Sequence, residues 1–280
     1  AMYDKLRSFD GARKDLVLAL AVGIMVGLVF RDQPNTQASS STISAALFFG
    51  VIFNGMVTIA LTIIKVPLSK LIMLREYGNG VYSLWAWYAG NMAANLFVQS
   101  IATFAFSIPY YYIINLRGSY WIVFVTLMLL AFIGQTYGFL LGVFSKSAQA
   151  AQSLLVPSIM PIMLFCGYLL QYKDVQPYFI EFWYLSFFRY AFTPLLVNEF
   201  SDGEFEPCGT SEYCPLGYNI DITTGLTTGE GTKRSAVITD QFDFSMKAKP
   251  DYLYILLGFL GGMQIIGYYG LKLMARKRNG

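Results

Sequence analysis

At 280 residues, with 55% hydrophobic, 17% aromatic and 13% charged side chains and a mean hydropathy of +0.49, the chain is too apolar for an ordinary soluble domain, which carries roughly 25% charge. Its net charge of +3 does not point to nucleic acid, because the basic residues gather in small clusters beside apolar runs, where membrane topology puts them. The absence of histidine removes Ser-His-Asp and Cys-His nucleophile systems and the usual zinc sets, so no catalytic residue and no metal site is assigned.

In chain order, Met2 to Lys14 mixes Leu6 and Phe9 with basic residues, and reads either as a short amphipathic helix at a membrane surface or as a disordered tail. It is not a signal peptide, since no small-residue cleavage site follows the apolar run. The chain opens on Ala1, which suggests a piece of a longer polypeptide. Residues 1–15 are thus a connecting segment, and 16–280 a membrane domain. A bilayer core of ~30 Å takes about 20 apolar helical residues. Uncharged windows near that length predict six spans, at 16–30, 43–64, 87–116, 120–144, 148–170 and 252–271. The first is short and needs local thinning of the bilayer. The expected fold is an all-α membrane protein of six transmembrane helices, with a large extracellular loop (171–250) between helices 5 and 6.

Lys5, Arg7, Arg13, Lys14, Lys65, Lys70, Arg75, Lys146, Lys272, Arg276, Lys277 and Arg278 all fall on one side of this arrangement, against Arg31 and Arg117 in the opposite short loops. Positive charge is retained in the cytosol, so both termini are expected there, in a multi-pass protein of the plasma membrane. The outer loop begins with an aromatic stretch, Tyr178 to Phe200, whose few charges (Glu181, Arg189, Glu199) favour an interfacial or re-entrant helix. Beyond it, Cys208 and Cys214 are expected to form a local disulfide in an oxidising compartment, the alternative being a bridge to a second copy. Cys166 reads as a buried, inert thiol. Glu204 with Glu206, and Asp240 with Asp243, lie in polar loop with no apolar pocket to tune them, and read as solvated.

Polar groups inside spans need partners. Asn54 stands mid-way along the second span and should face protein or a watery cavity, while Asn91, Asn95, Gln99 and Ser100 form a strip in the third that suits interhelical hydrogen bonding. Met160 and Met163, three apart among Pro157, Pro161 and Gly167, offer either a pliable ligand face or plain packing.

Two stretches carry a family resemblance. Arg75-Glu76-Tyr77-Gly78-Asn79-Gly80-Val81-Tyr82-Ser83 resembles the R-E-x-x-x-G-x-Y-S signature of ABC transporters of the G (White/pleiotropic drug resistance) subfamily. Ser186-Phe187-Phe188-Arg189-Tyr190-Ala191, followed by Asn198-Glu199-Phe200, is similar to its S-x-x-R-Y-A…N-E-F motif. The resemblance implies the transmembrane half of an ATP-driven exporter that moves an amphipathic or lipid-like substrate by alternating access; a non-transporting scaffold or accessory subunit on the same fold is the alternative.

It further implies a coupling loop at 65–80, with Lys70, Arg75 and Glu76 meeting a nucleotide-binding domain. The substrate cavity would be lined by Asn54, Val57, Met160 and Met163, beneath a plug of Tyr168 and Leu169. Tyr168 departs from the family's more frequent Leu. The third span holds Asn95 and Val98 where many members carry an acid and a proline. No G-x-x-x-x-G-K-[ST] loop occurs, so no cofactor is expected on this segment. ATP and Mg are expected on a nucleotide-binding domain upstream. The implied partners are that domain, a second half-transporter (homo- or heterodimer), membrane lipids and a hydrophobic substrate.

Overall fold

The computed structural model describes residues 9–36, 39–205, 234–235, 237–238, 242 and 249–279. Eight α-helices are found among them: α1 (Phe9–Val29), α2 (Ser39–Gly78), α3 (Leu84–Ile114), α4 (Tyr120–Phe144), α5 (Ala148–Leu164), α6 (Ile180–Leu185), α7 (Phe187–Phe200) and α8 (Lys249–Asn279). Cys208 and Cys214, and the residues before Phe9, lie outside the described residues.

The fold is an all-α membrane domain. Among the described residues, four segments are long and apolar enough to cross a bilayer: Ser39–Pro67, Leu84–Ile114, Tyr120–Phe144 and Asp251–Arg276. Asp15–Val29 and Ala148–Leu164 are apolar but shorter. The fifth expected span, 148–170, stops as a helix at Leu164, and Gly167 then turns the chain with a φ of 92°, a conformation side-chain-bearing residues disfavour. The expected coupling loop at 65–80 is helical as far as Gly78, because α2 runs on past the charges that mark the end of its apolar part.

Small residues set the packing. Gly134, Gly138 and Gly142 recur every four residues of α4 and so form one ridge, on which α2 lies. A Cβ at Gly138 would stand 2.7 Å from the Ile59 carbonyl oxygen, and one at Gly142 2.7 Å from Val66 Cβ. Between helices in lipid, where no hydrophobic effect draws them together, such close backbone approach is the main source of association. α1 seats on α3 in the same way, Gly23 and Gly27 meeting Phe106, Pro109 and Ile113.

Every residue of α7 is buried, wedged against α2, α4 and α8. It is therefore an interior helix and not a surface one, which would keep one face open. The loops at 30–36, 115–119 and 201–205 share one end of the bundle, tied by Asn35 Nδ2 donating to the Glu204 carbonyl (2.9 Å) and by contacts of Glu199 described below. The opposite end carries Lys65, Lys70, Arg75 and Arg276, and is called the basic end.

Candidate functional site: the elbow, the α2–α5 face and the end clamp

At the basic end the motif 75–83 is a helix stop and restart. The Val81 N–H donates to the Glu76 carbonyl (3.1 Å) and the Gly80 N–H to that of Tyr77 (3.0 Å), the paired bonds of a Schellman C-cap. That cap needs a left-handed residue, which Gly80 supplies with φ 73°. Ser83 then opens α3, its side chain accepting from the Ala86 N–H (3.3 Å). The Tyr82 hydroxyl donates to Glu76 Oε2 at 2.5 Å and closes the elbow. Partial burial and the Glu76 carboxylate both push the Tyr82 phenol above its usual pKa, burial being the larger cause, so it stays a donor. Arg75 is exposed.

Lys70 is bonded within the domain. Its ammonium donates to the carbonyls of Val143 (2.9 Å) and Ser145 (2.7 Å), closing the C-terminal end of α4, where the helix dipole favours a cation. Burial lowers its pKa. Nearby, Lys65 pairs with Asp15 of α1 at 2.9 Å. A small polar chamber of about 90 Å³ opens beside them, lined in part by Thr62, Asn91, Asn95, Gln99 and Gln135. Gln99 Nε2 donates to Thr58 Oγ1 (3.0 Å), so part of the third helix's polar strip does serve interhelical bonding.

The residues expected to line a cavity are divided among different surroundings. Asn54 is buried and its Nδ2 donates to the Leu127 carbonyl of α4 at 2.7 Å, so the amide fastens two helices. Val57 and Met163 are half-buried, Met163 packing on the core, and Met160 is exposed. Only two residues of α5, Ala151 and Ile159, are buried, which leaves the rest of that helix open or half-open within the single chain. Of the expected plug, Tyr168 turns inward, stacked on Phe48 with centroids 4.5 Å apart and set against Phe192, whereas Leu169 is exposed.

The second motif builds the opposite end. Glu199 Oε2 accepts from the N–H groups of Arg117 (2.9 Å) and Gly118 (3.1 Å), and its Oε1 from Arg234 Nη2 (3.0 Å), with both side chains at most 4% exposed. Asn198 exchanges two 3.0 Å bonds with the backbone of Ser119. α7 is thereby clamped to the α3–α4 turn. Arg189 lies over the rings of Trp183, Tyr184 and Tyr190, at 4.5–5.3 Å from their centroids. Ser186 donates to the Ile162 carbonyl (2.6 Å) and ties α7 back to α5. The sequence offered no pointer to Arg234, which sits in a polar stretch, nor to the capping role of Lys70. The Gly-x-x-x-Gly-x-x-x-Gly spacing of α4 is the sequence signal for its close contact with α2.

The helical membrane domain thus has an elbow at one end and a clamp at the other, each built by one of the two motifs. Residues 12–200 match the ABC-2 type transporter family, and the chain belongs to it. It is 27% identical to Protein white of Ceratitis capitata over 94% of this chain and 37% of that protein. To the broad substrate specificity ATP-binding cassette transporter ABCG2 of Sus scrofa it is 24% identical over 76% of this chain and 31% of that protein, and to the ABC transporter ATP-binding protein/permease wht-1 of Caenorhabditis elegans 25% over 91% and 37%. The chain thus spans about a third of the length of these relatives.

Proposed function

We propose that this chain is the membrane half of an ATP-driven exporter, which moves an amphipathic or lipid-like substrate by alternating access, with the basic end in the cytosol and six crossings in all. The observation that carries the reading is the length of α2. Its 40 residues rise about 60 Å, twice the hydrocarbon thickness of ~30 Å, so its Arg75–Glu76 end stands clear of the bilayer as a lever. Motion imposed there would travel along α2, which carries Pro67 within its length and is held to α4 by the glycine ridge, Asn54 and Lys70. The input would come from a nucleotide-binding domain, which would also hold ATP and Mg. No phosphate-cradling loop occurs in residues 1–280, so this chain's share of the cycle is mechanical. The open side of α5, where Met160 is exposed and Met163 half-buried, together with the half-buried Val57 of α2 and the exposed Leu169 beyond the end of α5, suits an opposing second half, homologous or identical, with the substrate between them. Such a surface offers dispersion contacts and little hydrogen bonding, which fits sterols, phospholipids and apolar xenobiotics.

The test is Glu76→Ala in the full-length transporter reconstituted in liposomes. The expected result is ATP turnover that continues while transport per ATP falls severalfold; unchanged transport per ATP would remove Glu76 from coupling. A parent polypeptide and complex without any ATPase domain would overturn the exporter reading itself.

A further inference from the structure

Two concavities on the α3–α8 face share walls. One is a groove of about 610 Å³, with Trp85, Ala89, Met92 and Leu96 of α3 facing Leu260 and Ile265 of α8. The other, of about 450 Å³, lies at the basic end and holds Tyr77, Ser83, Lys272 and Arg276. Trp85 and Tyr268 line both, so an apolar trough runs directly into a cationic cup.

The chemistry differs sharply along this trough. Its polar floor atoms are already used. The Tyr88 hydroxyl lies 2.9 Å from the Gln264 carbonyl oxygen and 2.7 Å from its Oε1, and Gln264 Nε2 donates to Thr136 Oγ1 (2.8 Å). What the groove offers is hydrocarbon and ring faces, at membrane depth within the spans Leu84–Ile114 and Asp251–Arg276. The cup is the reverse. Lys272 and Arg276 stand one turn apart on the same face of α8. Ser83 accepts the Ala86 N–H with its hydroxyl oxygen and keeps its own proton to donate. No carboxylate is among the described residues lining either part.

From this juxtaposition we infer that the α3–α8 face is a binding site for an anionic glycerophospholipid, its acyl chain in the trough and its phosphate on Lys272, Arg276 and the Ser83 hydroxyl. Retention of positive charge at one membrane side explains the sign of Lys272 and Arg276, but not their place at the mouth of an apolar groove. A second copy of the chain suits this face poorly, because a self-complementary contact would set the same cations against one another where the dielectric is low. The leaflet is the cytoplasmic one only on the orientation proposed above. The headgroup preference does not depend on that orientation, and lipid retention is read without ATP or transport, so the two ideas fail separately.

The experiment is native mass spectrometry of the detergent-released full-length transporter, titrated with phosphatidylglycerol or phosphatidylcholine of matched chains. The expected outcome is preferential retention of phosphatidylglycerol. Lys272→Gln with Arg276→Gln should lower that retention about twentyfold or more, from about fivefold per cation at ~1 kcal/mol each, and lower phosphatidylcholine, whose choline already offsets its phosphate, far less. Ala93→Trp, which fills the groove, should lower both lipids. Equal retention of the two lipids by the wild type, or wild-type selectivity in the double variant, overturns the site. Dissociation of an oligomer by Ala93→Trp would identify the occupant as protein and also overturn it. If Ala93→Trp does not fold, photo-crosslinking with a diazirine phosphatidylglycerol on the wild type decides, labels within 85–96 and 260–276 supporting the site and labels confined elsewhere sinking it.

Discussion

The two ends of the bundle are built to opposite rules. At the clamp, Glu199, Asn198 and Arg234 are buried and bonded to one another or to the backbone of the turn at 117–119, so the geometry is over-determined. At the elbow, Arg75 is exposed and Glu76 is held by one tyrosine hydroxyl. On the exporter reading proposed above, a bundle that transmits a displacement needs one end fixed and one end open to a neighbour. A buried ionic network supplies the first, since moving any member strands the others in low dielectric. A solvent-facing helix end supplies the second at little energetic cost.

The sharpest way to break this contrast is Glu199→Ala. It strands the Arg234 guanidinium and two backbone N–H groups, and removing one partner of a buried ion pair costs about 3–5 kcal/mol. The expected result is a large fall in the thermal midpoint of the purified transporter and a low folded yield. A midpoint within a degree of wild type would mean that the clamp does not fix α7. Next in size is Gly138→Leu. Its Cβ meets the Ile59 carbonyl oxygen at 2.7 Å, a backbone atom that cannot swing aside, so α2 and α4 must part at a cost of about 1–3 kcal/mol or more. Reduced stability should come with reduced transport per ATP, since the lever loses its track; destabilisation with intact coupling would separate the glycine ridge from transmission.

Smaller again is Asn54→Ala. Interhelical hydrogen bonds in membranes average only about 0.6 kcal/mol and reach about 1.7. The bond to the Leu127 carbonyl predicts a modest loss of thermal stability, with transport of every substrate affected alike. A change in substrate preference with unaltered stability would instead return Asn54 to the cavity role that the family resemblance implies.

How much of this the sequence could disclose follows from where each signal lies. The apolar windows of α2, α3, α4 and α8 are local, so those spans were legible from composition alone. The end of α2 was not, because a charge marks where lipid stops and says nothing about where a helix stops; the C-cap at Gly80 does that. Asn54 announced that it needed a partner, but the partner is a main-chain carbonyl 73 residues away, and backbone groups carry no sequence signature. Lys70 read as topology for the same reason, its two acceptors being carbonyls at the end of α4. The motif S-x-x-R-Y-A…N-E-F was recognisable as a string, whereas its work, clamping a buried helix to a turn, exists only once residues 117–119 and 234 come together.

The finest test of the contrast is Tyr82→Phe, which deletes one hydroxyl from the elbow. The hydrogen bond it removes goes to a charged group but is only partly buried, so the stability change should be at most about 1 kcal/mol. Its value lies in comparison with Glu76→Ala. If Glu76 serves only to shape the turn, losing its tyrosine should uncouple ATP turnover from transport as much as losing the carboxylate does. If the carboxylate itself meets the neighbouring domain, Tyr82→Phe leaves that charge in place and coupling should stay close to wild type. The second outcome is expected, because the Schellman bonds at Gly80 and the Ser83 cap shape the turn without the phenol. Measuring transport per ATP for the two variants side by side therefore assigns Glu76 either to the architecture of the elbow or to its contact surface.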